Sequence, residues 1–130
     1  MLTLFVVKSC ADEKDPGPTV SSFDGLVNEI YFVPNIQAIN EHTVKNEWYA
    51  VIHDDEHIDE PLMEGLKVFI KESPADALVL LKKDGDGKYS RCPRLFRRNV
   101  IIRKDTLLPD QVGVTFDTVL NGFVHDNSHV

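Results

Sequence analysis

The chain has 130 residues, the length of one domain, and 42% of them are apolar, which is enough to bury a core. Its formal net charge of −7 argues against a general nucleic-acid binder, which would need a basic surface. Its apolar runs are all shorter than the ~20 residues of a membrane span, and the N-terminal one is too short for a signal peptide. We therefore expect a single compact domain over residues 1–130, cytoplasmic, with no nucleic-acid partner and no membrane span.

The first part of the chain alternates between strand and helix patterns. Residues 36–46 place apolar side chains on one face of a short helix. Asp59 is a plausible N-cap of a second helix, which buries Leu62 and Leu66 on one face and ends before Ser73-Pro74. Four short apolar runs predict strands, at residues 2–7, 29–33, 48–52 and 77–81.

The later part of the chain has an antiparallel pattern. Residues 84–87 read Asp-Gly-Asp-Gly and predict a turn, from which residues 88–92 return as a hairpin strand. Residues 100–102 and 114–116 are further strand candidates, whereas residues 8–28 show no clear long helix. Alternating strands and helices imply parallel pairing with right-handed crossovers. We therefore predict a three-layer α/β fold with a mainly parallel central sheet and an antiparallel C-terminal part.

The most informative feature is a buried strand pattern that ends in three consecutive carboxylates, Asp54, Asp55 and Glu56. In open α/β sheets, ligands bind at the carboxyl ends of the strands. Adjacent anions repel each other unless a cation neutralises them, and one or two carboxylates with substrate phosphates are a common magnesium or manganese arrangement. The alternative is a solvated acidic loop that favours the dipole of the following helix.

A second cluster, residues 94–98, places three arginines within five residues of an acidic chain. In an extended segment, Arg94 and Phe96 would lie on one side, and Leu95 and Arg97 on the other. Guanidinium groups bind phosphate bidentately, so the cluster predicts a phosphate contact. Surface ion pairing with the protein's own acidic residues is the alternative. A third motif, Gly122 to Asp126, contains His125, and a lone histidine is more often structural than a ligand.

In this order, the three motifs resemble the family 2 glycosyltransferases of the GT-A fold. In that family, a helix with an A-x-N stretch precedes a strand that ends in a pair of carboxylates, and here Ala38-Ile39-Asn40 precedes Asp54-Asp55. Members similar to lipopolysaccharide core glucosyltransferases also carry an RLFRR segment, found here at residues 94–98, and a vHE stretch, matched by Val124-His125-Asp126. The resemblance covers roughly residues 36–126.

The resemblance implies a glycosyltransferase that uses a nucleotide-diphospho-sugar donor, an acceptor of unknown identity, and Mn²⁺ or Mg²⁺. Such a metal ion would neutralise charge that builds on the leaving nucleotide. The implied roles fall into three groups: metal ligands (Asp55 and His125), contacts to the nucleotide (Asp54, Arg94, Arg97 and Arg98) and the acceptor base (Glu56).

Two departures from the family pattern leave other functions open. The second predicted strand ends in Val33-Pro34-Asn35, where the family has an Asp that holds the nucleotide, and the first crossover lacks a long helix. A non-catalytic binding or assembly module that keeps the fold is therefore the alternative. A magnesium-dependent phosphatase-like protein is a further rival, but no phosphate-binding glycine loop in the sequence supports it.

Overall fold

The computed structural model describes residues 1–8, 17–84, 86–102, 107–109 and 113–126. The described strands are β1 (Leu2–Val7), β2 (Val27–Val33), β3 (Trp48–His53), β4 (Glu56–Ile58), β5 (Ala77–Lys83), β6 (Tyr89–Arg97) and β7 (Phe116–Asp126). The described α-helices are α1 (Gly17–Ser21) and α2 (Glu60–Glu72), and a 3₁₀ helix spans Gln37–Glu41.

The strands form one mixed sheet in the order β2-β1-β3-β6-β5-β7-β4. β1 pairs in parallel with β2 and β3, and β5 pairs in parallel with β7. β6 is antiparallel to both β3 and β5, and β4 is antiparallel to β7. The four predicted strands, β1, β2, β3 and β5, do run in the same direction, but the returning arm of the hairpin, β6, separates β3 from β5. The mainly parallel sheet that we predicted is therefore not confirmed.

The strand order indicates a curled sheet, because β3 and β4 are close together in the chain but far apart in the sheet. Only Asp54 and Asp55 separate these two strands in the chain, yet β4 pairs with β7 at the far edge of the sheet. The edge at β4 must therefore return to the carboxyl end of β3. This curl brings Glu56 of β4 back to His53 at the end of β3.

Both faces of the central strands are buried, which explains their continuous apolar runs. In β1, Leu4 and Val6 belong to a core that α2 covers with Leu62 and Leu66. Phe5 and its neighbours belong to a second core on the opposite face. The 3₁₀ helix and the segment around residues 100–102 cover that second face, so its layer is largely irregular.

Several predicted elements are confirmed. Asp59 caps α2, since its Oδ1 accepts a hydrogen bond from Leu62 N at 3.0 Å, and the helix ends before Ser73. The predicted hairpin forms, with Asp84 N donating to Lys88 O at 2.8 Å, although its second strand, β6, continues to Arg97.

Other elements differ from the prediction. The helix expected over residues 36–46 is limited to the 3₁₀ helix, and β4 was not predicted at all. Ile102 forms an isolated bridge to Pro109 where a strand was expected. Of the candidate at residues 114–116, only Phe116 lies in a strand, as the first residue of the long strand β7. Within residues 8–28, α1 has five residues, and residues 9–16 lie outside the described part of the chain.

In the described part of the chain, no helix is both long and apolar enough to pass through a membrane.

Candidate functional site

The acidic turn, Asp54-Asp55, lies at the carboxyl ends of two parallel strands. Asp54 N donates to Val7 O at 3.1 Å, so the pairing of β1 and β3 continues into the turn. On the other side, Thr19 Oγ1 of α1 donates to Asp54 O at 3.1 Å. Asp54 is buried and Asp55 is partly exposed. Hydrogen bonds therefore hold the turn on two sides. The turn lies at the carboxyl ends of the strands, which is where α/β proteins bind ligands.

The third carboxylate, Glu56, points into the protein and is fully buried. Arg94 grips it bidentately, with Nη1–Oε1 at 2.7 Å and Nη2–Oε2 at 2.9 Å. Lys82 Nζ lies 2.7 Å from Oε2, and His53 N donates to Oε1 at 2.9 Å. One carboxylate thus joins β3, β4, β5 and β6 below the acidic turn.

This arrangement keeps Glu56 ionised. Burial by itself raises the pKa of a carboxyl group, but the hydrogen bonds and charges of Arg94 and Lys82 outweigh it and lower the pKa of Glu56 to about 2. A general base needs a pKa near the working pH and access to its substrate. The geometry makes Glu56 an ion-pair partner, so its role as acceptor base stays a prediction that its surroundings do not favour.

A β-bulge brings Arg94 to this position. Leu78 pairs with Leu95 and Val79 with Pro93, so Arg94 is the extra residue of β6. Bulges redirect a side chain, and they accommodate a proline that cannot donate to the ladder. Arg94 is 5% exposed, and its guanidinium group binds Glu56. Its Nε atom has no hydrogen-bond partner among the described residues. A direct contact of Arg94 with a nucleotide therefore also stays a prediction.

Lys82 is a residue of this site that the sequence interpretation missed. Leu78 and Leu80 of β5 face the core, and Lys82 continues the same alternation. Burial lowers the pKa of a lysine, but Glu56 outweighs that effect and the pKa of Lys82 is raised. A lysine at an inward-facing position of a strand was the signal available in the sequence.

His125 lies on the other face of the strands that carry Glu56. Glu56 pairs with Asp126 and His57 with His125, and successive side chains of a strand point to opposite faces. His125 Nε2 lies 3.0 Å from Asp59 Oδ2, and its ring stacks on His57 with centroids 5.1 Å apart. The imidazole is therefore directed at the cap of α2, and its role as a metal ligand beside Asp55 stays a prediction.

Arg97 and Arg98 lie at the opposite end of β3 from the acidic turn. Arg97 pairs with Trp48, the first residue of β3, which lies about 17 Å from the last by the rise of a strand. Its guanidinium lies over the Trp48 ring, 4.1 Å from the centroid, and donates to Ala75 O at 3.0 Å. Arg98 Nη1 donates to Lys45 O at 3.2 Å. Of the three arginines, Arg94 contacts Glu56 next to the acidic turn, whereas these contacts of Arg97 and Arg98 lie at the other end of β3.

The described residues do not assemble a metal centre, because no three His, Cys, Asp or Glu side chains among them are placed to hold one ion. Mn²⁺ or Mg²⁺ would need ligands from a bound nucleotide in addition to the acidic turn. Metal dependence therefore stays a prediction.

The fold is similar to that of TarS, a staphylococcal glycosyltransferase, as seen in the crystal structure of residues 1–349 of the S. aureus protein. The two chains align with a TM-score of 0.62 and 10% sequence identity, over 97% of this chain and 60% of the TarS chain. This likeness supports a glycosyltransferase-like fold. No protein-family model matches the sequence. No curated protein matches it either.

Proposed function

We propose that this chain is a glycosyltransferase-like domain that binds a nucleotide-diphospho-sugar at the acidic turn and transfers the sugar to an acceptor. The observation that carries the proposal is the position of Asp54-Asp55 at the carboxyl ends of β1 and β3, in a fold similar to that of TarS. This chain aligns with 60% of the TarS chain, and we propose for it the class of activity that TarS has.

One cation near the turn is partly exposed to solvent. Arg94 and Lys82 both pair with Glu56, and the carboxylates of the turn and of Asp126 leave the surroundings of the turn anionic. A diphosphate that binds there therefore needs a cation to contact, and the Lys82 side chain is 21% exposed. Lys82 is therefore the cation that we assign to the donor phosphates.

No step of this proposal is assigned to a metal ion, because the described side chains do not form a metal site on their own. Binding is therefore tested both with Mn²⁺ and without a metal ion. Asp55, partly exposed at the tip of the turn, is the residue we propose to face the ion if one accompanies the nucleotide.

Calorimetry with uridine, guanosine, cytidine and adenosine diphosphates, each with Mn²⁺ and with a chelator, tests the proposal. We expect one diphosphate to bind the wild type and to bind Asp55→Asn about tenfold or more weakly. Asp24→Asn is the matched control, because Asp24 is exposed in the turn that precedes β2, near the amino end of β1. If none of the four diphosphates binds the wild type under either condition, the proposal is wrong.

The second candidate is a non-catalytic binding or assembly module with the same fold. The observation that favours it is the burial of Glu56, the candidate base, in its ion pair with Arg94. The two functions differ in whether the protein releases the free nucleoside diphosphate from a nucleotide-sugar. If nucleotide-sugars that contain the bound nucleotide bind without this release, the result supports the module.

A further inference from the structure

A row of ring-bearing and cationic side chains crosses four strands on the face of the sheet opposite Glu56. Tyr89 of β6 pairs with Lys83 of β5, Lys83 with His125 of β7, and His125 with His57 of β4. Residues in register on paired strands project from the same face. Three spacings between strands make the row about 14 Å long. We call these four residues, together with Phe123, the ring row.

The rings of this row form a continuous platform. Phe123 stacks on Tyr89 with centroids 5.2 Å apart, and His125 stacks on His57 at 5.1 Å. Phe123 also meets the edge of His125 at 6.2 Å, which links the two stacks. Lys83 Nζ lies 6.0 Å from the centroid of the Tyr89 ring. Ring contacts and the hydrogen bond from His125 to Asp59 hold the row in place.

Part of this platform faces solvent. Tyr89 is 61% exposed, and the His125 side chain is 31% exposed. A large exposed aromatic side chain gains stability when a partner covers it, since aromatic rings bury the most apolar area per residue. The row is rich in polar groups as well, because a phenol, an ammonium group and two imidazoles line it. It therefore places the exposed ring of Tyr89 beside hydrogen-bonding groups.

We propose that the ring row binds a neutral oligosaccharide, which is the acceptor of the proposed transfer. A sugar ring has an apolar C–H face that packs on an aromatic ring and a rim of hydroxyls that needs hydrogen-bond partners. Tyr89 supplies the exposed apolar surface, and the imidazoles and the ammonium group supply polar partners along a line that a short saccharide chain can follow. The inference rests on the proposed function for the statement that this saccharide is the acceptor.

The position of the row fits that role. His57 is two residues from Asp55, and β4 begins directly after the acidic turn. β5 runs in the same direction as β3, so the hairpin after Lys83 lies at the same end of the strands as the acidic turn. A chain lying on the row would therefore have one end beside the donor site.

Charge favours a neutral saccharide over a nucleic acid, whose bases also stack on aromatic rings. The protein carries a net charge of −7, and carboxylates flank the row at Asp59 and Asp84. A polyanion needs a basic surface for affinity, and this surface does not provide one. The most exposed side chain of the row, Tyr89, is an aromatic ring with a hydroxyl group, which suits a saccharide.

The test is a titration of the ¹⁵N-labelled protein with cellotetraose, maltotetraose, chitotetraose and mannotetraose, followed by amide shifts without nucleotide. We expect at least one tetrasaccharide to shift amides of β4, β6 and β7, and Tyr89→Ala to weaken its binding about tenfold. Tyr89→Phe should keep most of the affinity. Phe32→Ala is the matched control, because it removes a 49% exposed ring elsewhere on the sheet.

The outcomes separate this proposal from that of the donor site. Tyr89→Ala should leave nucleoside diphosphate binding unchanged, and Asp55→Asn should leave tetrasaccharide binding unchanged. Saccharide binding without any diphosphate binding would keep the ring row as a saccharide site and refute its role as an acceptor site. If no tetrasaccharide shifts these amides, or if single-stranded oligonucleotides bind there instead, the proposal is overturned.

Discussion

Both carboxylate oxygens of Glu56 accept hydrogen bonds from the guanidinium group of Arg94, at 2.7 and 2.9 Å, in the interior of the protein. The pair joins an edge strand, β4, to a central strand, β6, which the sheet order separates by two other strands. The contact is therefore what closes the curl of the sheet below the acidic turn. Its charges stabilise the position of the turn as well as the fold.

Removing the charge of Glu56 should destabilise the protein strongly. Glu56→Gln leaves Arg94 and Lys82 in the interior without their counter-ion, and breaking a buried ion pair on one side costs about 3 kcal/mol or more. Urea unfolding, followed by the fluorescence of the single tryptophan, Trp48, measures the free energy of unfolding.

The control for this loss is Glu47→Gln. Glu47 also pairs with an arginine, Arg97, but its side chain is 70% exposed. An exposed pair contributes little, so we expect a change within about 1 kcal/mol. Equal losses in Glu47→Gln and Glu56→Gln would contradict the role that we assign to the buried pair.

The same ion pair should make the protein sensitive to acid. The pKa of Glu56 is about 2 in the folded chain against 4.5 for a free side chain, so its stabilisation is complete above pH 4.5 and is lost as the pH falls towards 2. The loss is on the order of 3 kcal/mol. His53, whose pKa burial lowers from 6.5, contributes a loss that begins at higher pH. Urea midpoints measured against pH should fall steeply below 4.5 in the wild type and less steeply in Glu56→Gln.

Gly122 should tolerate no side chain, because β7 approaches the start of α2 too closely there. A Cβ at this position would lie 2.5 Å from Leu62 N and would also collide with Asp59 Oδ1. Gly122→Ala must displace the cap of α2 and should cost about 2 kcal/mol or more. Leu120→Ala, at a 71% exposed position of the same strand, is the control and should change stability little. Similar unfolding midpoints for the two variants would show that β7 can move away from α2.

The local elements were predictable where one strong pattern acted alone. Short apolar runs of strand length identified β1, β2, β3 and β5, and the cap at Asp59 with its apolar stripe identified α2. β4 was missed because three residues carry too little periodicity. Only the start of β7 was predicted, because its irregular middle, where register with β5 shifts between Leu80 and Lys82, breaks the alternation.

The candidate site was less predictable because it depends on long-range pairing. Consecutive residues Asp55 and Glu56 look equivalent in the sequence, yet the start of β4 turns one into the interior and leaves the other partly exposed. The bulge that directs Arg94 to Glu56 arises from the register between β5 and β6. Arg97 and Arg98 are close to Arg94 in the chain, but β6 carries them towards the opposite end of β3.

Two cations, Lys82 of β5 and Arg97 of β6, lie at opposite ends of these strands, so their removal should have different effects. Lys82 lies below the acidic turn, whereas Arg97 packs on Trp48 and donates to Ala75 O and Ser73 O at the far end of β3. Lys82→Met should therefore weaken binding of a nucleoside diphosphate about tenfold, because it removes the partly exposed cation nearest the turn. Arg97→Met should leave that affinity unchanged and lower the free energy of unfolding by about 2 kcal/mol, since it loses the contact with Trp48 and the bonds to both carbonyls. Calorimetry and urea unfolding of the two variants supply both quantities. A large loss of affinity in Arg97→Met, with Lys82→Met unaffected, would mean that the arginine segment forms the phosphate site after all.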